Sequence, residues 1–290
     1  MTKEEKRKEQ IKELTDKLEK GVQDVYTSEK YIEYLRFCAR FHDYSWRNNI
    51  LIIAQCPTAS HVAGYQTWQK QFKRHVKKGE KAIRILAPST ITITETDADG
   101  NEQKRKIIKG FHPTCVFDVS QTDGEPIPEF ISELKDGDDK KNIGLVKSAL
   151  LDISPAKDIV FAAADEMHGA FGYYQIDENI IVIKKDLSTV QTIKTMIHET
   201  AHSILHRTGG KSEKVSRSEM ELQAESIAFI VSDFLGIDTG DYSFPYIASW
   251  AKDKDGKSLA ENLEVIGKTA KNMIDALEIL TVKVKQVEEE

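Results

Sequence analysis

The sequence predicts an α+β protein of two modules, and three observations predict it. Stretches with 3.6-residue apolar periodicity alternate with short β-branched runs bounded by turns, a mixture that neither an all-helical nor an all-strand chain would show. A Gly/Pro-bearing segment, Gln121 to Pro128 with Gly124, Pro126 and Pro128, interrupts both patterns. Charge divides at the same place. Of the 41 Lys and Arg and 47 Asp and Glu, residues 1–125 hold 22 and 18, a net +4, and residues 126–290 hold 19 and 29, a net −10. Two modules with different partners are expected, the basic one suited to a polyanion. The boundaries fall at residues 1–125 for the first, 126–143 for a linker and 144–290 for the second.

Taken in order, residues 3–20 are mostly Lys and Glu with Ile11, Leu14 and Leu18 at helical spacing, a charged, solvated helical arm. Ser28 opens a second helix through Phe41, and Asn48 to Gln55 forms a buried helical segment ended by Pro57. The Trp68/Phe72 stretch reads as helical, then a Lys-Lys-Gly-Glu-Lys turn leads into a strand at 82–86. Alternating Thr and Ile over 90–96, a turn at 97–100 and Ile107-Ile108 predict a β-hairpin, and Phe111 to Val119 a further strand. In the second half, a helix near 145–151 precedes Ile159–Ala163, a hairpin over 172–183, and long helices from Ser188 to about His206, Ser218 to Leu235 and Ser258 to Val282. Ser188 caps the first of these, and Gly209-Gly210 closes it.

Hydrophobic content of 40% with 30% charged residues is ample for sizeable cores. No run of about 18 apolar residues exists to span a bilayer, and Lys3 to Arg7 lacks the apolar region of a secretory signal, so the expected location is cytoplasmic. Cys38, Cys56 and Cys115 are odd in number and outside any C-x-x-C pattern; each is expected to be a small buried hydrophobe.

The chemistry concentrates at His198-Glu199-Thr200-Ala201-His202. Val190, Ile193, Met196 and Ile197 make this segment helical, so the imidazoles at i and i+4 project from one face about 6 Å apart along the axis. Two nitrogens then converge on one Zn²⁺, and Glu199 stands where a base is needed to take a proton from water and pass it to a leaving amine. The next helix offers Glu221-Leu-Gln-Ala-Glu225. Glu221 as third ligand gives a His, His, Glu set with an open position, and Glu225, one turn on, is placed to accept a hydrogen bond from a ligand histidine. His206 continues the series but lies about 12 Å along the axis from His198, too far to share one metal, and is read as a packing or helix-end residue. The strand 180–183 could hold an extended peptide by β-addition or be an ordinary core strand. Tyr173, Tyr174, Tyr242 and Tyr246 are not singled out by spacing.

In the first half, Arg36 to Arg84 holds ten Lys and Arg against Asp43 and Glu80, interleaved with Phe41, Tyr44, Trp46, Tyr65, Trp68 and Phe72. Cations for phosphates and aromatic faces for bases are what single-stranded nucleic acid requires; a solvated face over an aromatic core has the same composition.

With Ser45-Trp-Arg-Asn-Asn-Ile-Leu-Ile, Gln55, Ala63-Gly-Tyr-Gln-Thr-Trp68, Val76-Lys-Lys-Gly-Glu-Lys-Ala-Ile and Phe117-Asp-Val-Ser-Gln-Thr in hand, the chain resembles the ArdC/LtrC-like antirestriction proteins of conjugative plasmids and integrative elements. HETAH and ELQAE match the second domain of that family. The resemblance implies a single-stranded-DNA-binding domain followed by a zincin-like metallopeptidase domain, a role in DNA transfer and protection of incoming DNA from restriction, and an unknown protein or peptide substrate. It also implies kinship with peptidases that cleave repressors of mobile elements. Within the first module Asn49, Tyr65, Trp68, Lys77, Lys78 and Lys81 are the expected DNA contacts, unless Asn49 braces the fold. The alternative is a DNA-binding protein whose zincin domain is catalytically silent and structural.

Overall fold

The computed structural model describes residues 2–25, 28–96, 102–127, 139–207, 215–238 and 257–288. The expected turn at 97–100, most of the 126–143 segment, the 209–210 glycines, Tyr242 and Tyr246 lie outside the described residues. The chain forms two compact units, Met1–Gln23 with Arg47–Pro128, and Asp24–Trp46 with Glu129–Glu290. Mixed helix and strand content in both agrees with the α+β reading.

Helices α1 (Lys3–Asp24), α2 (Ser28–Arg40) and α3 (Trp46–Gln55) come first, α2 clustering with the second unit. Rather than a free arm, α1 is packed: Leu14 is buried, and a Cβ on Gly21 would come within 2.3 Å of Ile50 Cγ2. Its charged face stays in solvent with i,i+4 pairs Lys8–Glu4 and Lys17–Glu13, exposed pairs that contribute little to stability.

Strands β1 (Val62–Gly64), β2 (Arg74–Val76), β3 (Ile83–Thr96), β4 (Glu102–Asp118) and β5 (Thr122–Gly124), with the short helix α4 (Tyr65–Lys70), complete the first unit. The sheet runs β1-β4-β3, all antiparallel, and β2 pairs with β5. The two strands expected at Ile107 and Phe111 are one: β4 is continuous, with Lys109 as the extra residue of a bulge opposite Ser89/Thr90. Because β3 is an edge, its outward N–H and C=O groups need partners. Two amides on α3 supply them: Asn48 pairs with the N–H and C=O of Leu86 at 3.0 Å each, and Gln55 with those of Arg84 at 3.1 and 2.9 Å. Each amide stands in for a residue of a neighbouring strand.

A second clasp closes the sheet at Asp118, which is 1% exposed. One carboxylate oxygen accepts from the N–H of Ser60 (2.8 Å) and His61 (3.1 Å), the other from the N–H and hydroxyl of Ser120 (2.9 and 2.6 Å). Burial opposes the charge, but these hydrogen bonds outweigh it and hold the carboxyl below its ordinary value of 3.8. Asp118→Ala is expected to destabilise the first unit by about 3 kcal/mol, since buried N–H donors lose a charged acceptor. A depressed carboxylate stabilises above its unfolded pKa and ceases to as pH falls through the lower folded value. Denaturation followed from about pH 5 to about pH 2 should therefore show less acid destabilisation in the variant than in wild type. Equal acid slopes would remove Asp118 as the cause.

The second unit holds α5 (Asp139–Ile153), β6 (Ile159–Ala162), β7 (Gly172–Gln175), β8 (Ile180–Lys184), α6 (Thr189–Leu205), α7 (Arg217–Phe234) and α8 (Lys257–Glu288). Its sheet runs β6-β8-β7, with β8 in the middle, parallel to β6 and antiparallel to β7. Ser188 caps α6 by accepting from Gln191 N–H at 3.2 Å, and Ser216 caps α7 through Glu219 N–H at 3.3 Å. From Leu222 to Ser232 every residue of α7 except Glu225 is buried, the signature of a helix enclosed on all sides. It packs against α2, α6 and α8, and the pair Tyr31 Oη···Ser226 Oγ, 2.8 Å and buried, ties α2 to it. Of the cysteines only Cys38 is buried; Cys56 is intermediate and Cys115 exposed, on the outward side of β4 opposite Arg84.

Candidate metal centre and active site

Helix α6 carries its two histidines on the face turned to α7 because Ile193, Met196, Ile197 and Ala201 take the core side. Helix α7 answers with Glu221. His198 Nε2 and His202 Nε2 lie 3.1 Å apart, and Glu221 Oε2 is 3.6 Å from each. Ligand bonds of about 2.0–2.2 Å at tetrahedral angles span about 3.3–3.6 Å between donor atoms. The triangle therefore fits one small tetrahedral cation, with its fourth vertex free. A cleft opens there, lined by Gly172, Tyr173, Tyr174, Ile176, Glu199, Arg217 and Met220 as well as the three donors.

Glu199 is 7% exposed in this cleft. Burial pushes its carboxyl above the ordinary range, while the charges of His198 and His202 and a hydrogen bond from the Tyr174 backbone pull the other way. Glu221 is held well below the usual carboxylate range by the two imidazoles 3.6 Å away, His198 first and then His202. Burial opposes protonation of His198, but Glu221, Glu199 and Glu225 together raise it.

Edge strand β7 borders the cleft. Lys184 N–H donates to Phe171 O at 2.9 Å, so by antiparallel alternation Gly172 and Tyr174 turn their backbone groups away from β8. Of the two readings of the strand 180–183, the core strand is the one observed: it is β8, whose two sides are already paired, and the edge beside the site is β7. Gly172 permits the approach: a Cβ there would lie 2.5 Å from Thr195 Cγ2 and 3.1 Å from Glu199 Cγ. The sequence reading missed this residue, though a glycine within a strand is itself a sign of close backbone approach. It also missed Arg217.

Glu225 Oε1 stands 3.8 Å from His198 Nδ1, an ion-pair separation beyond hydrogen-bonding range. His206, read as a packing residue, is buried but engaged, with Nδ1 2.9 Å from His202 Nδ1 and Nε2 2.8 Å from Gln223 Oε1. The Tyr174 hydroxyl is committed to Asn179 Oδ1 at 2.6 Å. Among the described residues one further donor group gathers, His42, Asp43 and Asp275, but Lys271 Nζ already bridges its carboxylates at 2.6 and 2.9 Å.

In the first unit the expected DNA contacts separate. Trp68 is 1% exposed and its indole N–H donates to Phe117 O at 2.8 Å, so it has no face for a base; Asn49, at 2%, is also in the core. Both are corrected from contact to structural residues. Tyr65 is 53% exposed, and Lys77, Lys78 and Lys81 lie on the surface of a turn in which Glu80 N–H donates to Lys77 O and Gly79 has φ +91°.

Residues 4–117 match the model for the N-terminal domain of anti-restriction factor ArdC, and residues 157–233 that for the IrrE N-terminal-like domain of the M78 peptidase type. The N-terminal part of the chain is thus similar to the ArdC N-terminal domain and the later part to an IrrE-type peptidase domain. The resemblance read from the Ser45–Ile52, Ala63–Trp68 and Val76–Ile83 motifs thus holds, and HETAH and ELQAE both fall in the peptidase-like domain. An uncharacterized protein of Bacillus anthracis, pXO2-81, is 27% identical over 93% of this chain and 52% of its own length; the chain spans about half of that relative. The antirestriction ArdC protein of plasmid R388 aligns at 20% identity over 82% of this chain and 84% of its own. Its TM-score is 0.46 in a metal-free and 0.45 in a Mn(II)-bound structure. Among the described residues, no helix is long and apolar enough to cross a membrane.

Proposed function

We propose that this ArdC-like chain binds single-stranded DNA with its first unit and hydrolyses a protein or peptide at a zinc site in its second, in the service of DNA transfer and antirestriction. The observation that carries the peptidase reading is the donor triangle of His198, His202 and Glu221, at 3.1 to 3.6 Å, opening onto a cleft that Glu199 lines. Two imidazoles and a carboxylate with one position free form a catalytic rather than a closed structural set. When bound, Zn²⁺ supplies Lewis acidity at the scissile carbonyl. The protein does the rest. Glu199 accepts a proton from water in the cleft and returns it to the leaving amine, its raised carboxyl suiting it to both tasks. The outward groups of Gly172 and the Tyr174 carbonyl on β7 offer an extended peptide an edge to pair with, the Tyr174 N–H being taken by Glu199. Elemental analysis of purified protein, expected to find about one zinc per chain, is the first test; a folded, metal-free wild type would overturn the reading.

For DNA, the ArdC-type domain, exposed Tyr65 and the lysine turn support the proposal. Lys77 Nζ already donates to Ser120 O at 2.9 Å, so Lys78 and Lys81 are the freer cations. Replacing both by Ala should flatten the slope of log affinity against log salt for single strands by about 1.4, two phosphate contacts at about 0.7 each. An unchanged slope would move the site off this turn.

A further inference from the structure

Behind the metal triangle runs a chain of buried polar side chains that the peptidase reading does not use. His202 Nδ1 lies 2.9 Å from His206 Nδ1, and His206 Nε2 lies 2.8 Å from Gln223 Oε1. Gln223 Nε2 donates to Asn262 Oδ1 at 2.5 Å, and Asn262 Nδ2 donates to Glu219 Oε1 at 2.6 Å and to the carbonyl of Ser258 at 2.9 Å. His206, Gln223 and Asn262 are all buried, so none can turn to water for a partner.

The direction of the chain is forced from its far end. A backbone carbonyl and an ionised carboxylate only accept, so Asn262 must present its NH₂ to Ser258 and Glu219. Its oxygen then faces Gln223, which must donate. That turns the Gln223 oxygen to His206, whose Nε2 must carry the proton. A neutral His206 is left with a bare Nδ1, which accepts from His202 Nδ1–H. His202 is thereby fixed with a bare Nε2, the atom 3.6 Å from Glu221 and 3.1 Å from His198 Nε2.

We propose that His206, Gln223, Asn262 and Glu219 form a one-way hydrogen-bond relay that sets the tautomer and ring orientation of His202, making His206 a positioning residue for the metal. The inference rests on the zinc reading above for its function but not for its geometry. The relay joins α6, α7 and α8, so a residue on α8, far along the sequence from HETAH, controls a ligand on α6. Partners of this kind typically govern metal affinity by about 10- to 100-fold.

Substitutions at position 206 separate the relay from simple packing. In His206→Asn the Asn oxygen occupies the place of Nδ1 and still accepts from His202. In His206→Gln the amide reaches toward Gln223 but no acceptor sits beside His202. Zinc affinity, measured by competition with a chelating dye, should stay near wild type in His206→Asn and fall about 10- to 100-fold in His206→Gln. Thermal melts of the metal-free proteins report any purely structural loss. In the metal-free wild type, long-range ¹H–¹⁵N spectra should show His202 protonated on Nδ1 and His206 on Nε2. Equal affinities in the two position-206 variants, or His202 found protonated on Nε2, would overturn the relay. A wild type that takes up no zinc would remove the peptidase reading, and the tautomer spectra would still decide the relay.

Discussion

Glu199→Gln is expected to lower peptide hydrolysis by roughly 10²- to 10⁴-fold while zinc content stays at the wild-type level. The substitution preserves shape in a site where Glu199 is 7% exposed, and the Gln oxygen can still accept from the Tyr174 backbone. What it removes is basicity. Glu199 is not one of the three donors that gather on the metal position, so the metal has no reason to leave. Because burial raises the Glu199 carboxyl, the base form is lost at a higher pH than for an ordinary carboxylate, and wild-type activity should fall on the acid side above the usual carboxylate range. Rates on a fluorogenic peptide library, measured against pH beside elemental analysis, give both readouts. Hydrolysis retained in the variant would take Glu199 out of the mechanism; lost zinc would make it a structural residue.

The gathering of His198, His202 and Glu221 was legible in the sequence because its spacing is a helical property. His198 and His202 share a face by the 3.6 period alone, and Glu221 announces itself by opening a second carboxylate pair on the next helix. What the sequence could not display is how α6, α7 and α8 pack. Gln223 and Asn262 look like ordinary helix residues until the packing brings them to His206, and Gly172 means nothing until β7 lies against Thr195 and Glu199.

In the first unit the same lesson applies to motifs. Asn48, Gln55, Trp68 and Asp118 stand in or beside the stretches that carry the resemblance, yet each spends its polar atoms on backbone: Leu86, Arg84, Phe117, and the loop at Ser60 and His61. A recurring aromatic beside cations reads the same whether it stacks bases or closes a sheet, and only burial tells them apart. Trp68 closes the sheet; Tyr65 stays exposed. Similarly, β1, β2 and β5 are three residues each, too short for periodicity to register.

Glu221→Ala should weaken zinc binding by more than about 100-fold, beyond the range for outer partners, and with it abolish hydrolysis. The variant leaves His198 and His202 Nε2 3.1 Å apart with no carboxylate to balance a divalent cation or complete the triangle. Glu225→Ala is the matched control. At 3.8 Å from His198 Nδ1 its carboxylate makes no hydrogen bond, so its loss should cost less than about tenfold. Metal-free protein supplies an independent readout. Glu221 is held low by its pairing with the His198 and His202 imidazoles, so its contribution to stability is present above the ordinary carboxylate value of 4.5 and disappears as pH falls through the lower folded value. Metal-free Glu221→Ala should therefore lose less stability on acidification than metal-free wild type. If both glutamate variants lost zinc equally, the third ligand would not be Glu221 alone. If only Glu221→Ala lost it, with a flattened acid slope, one carboxylate would be doing both jobs: counter-charge to the imidazoles in the empty site and ligand in the filled one.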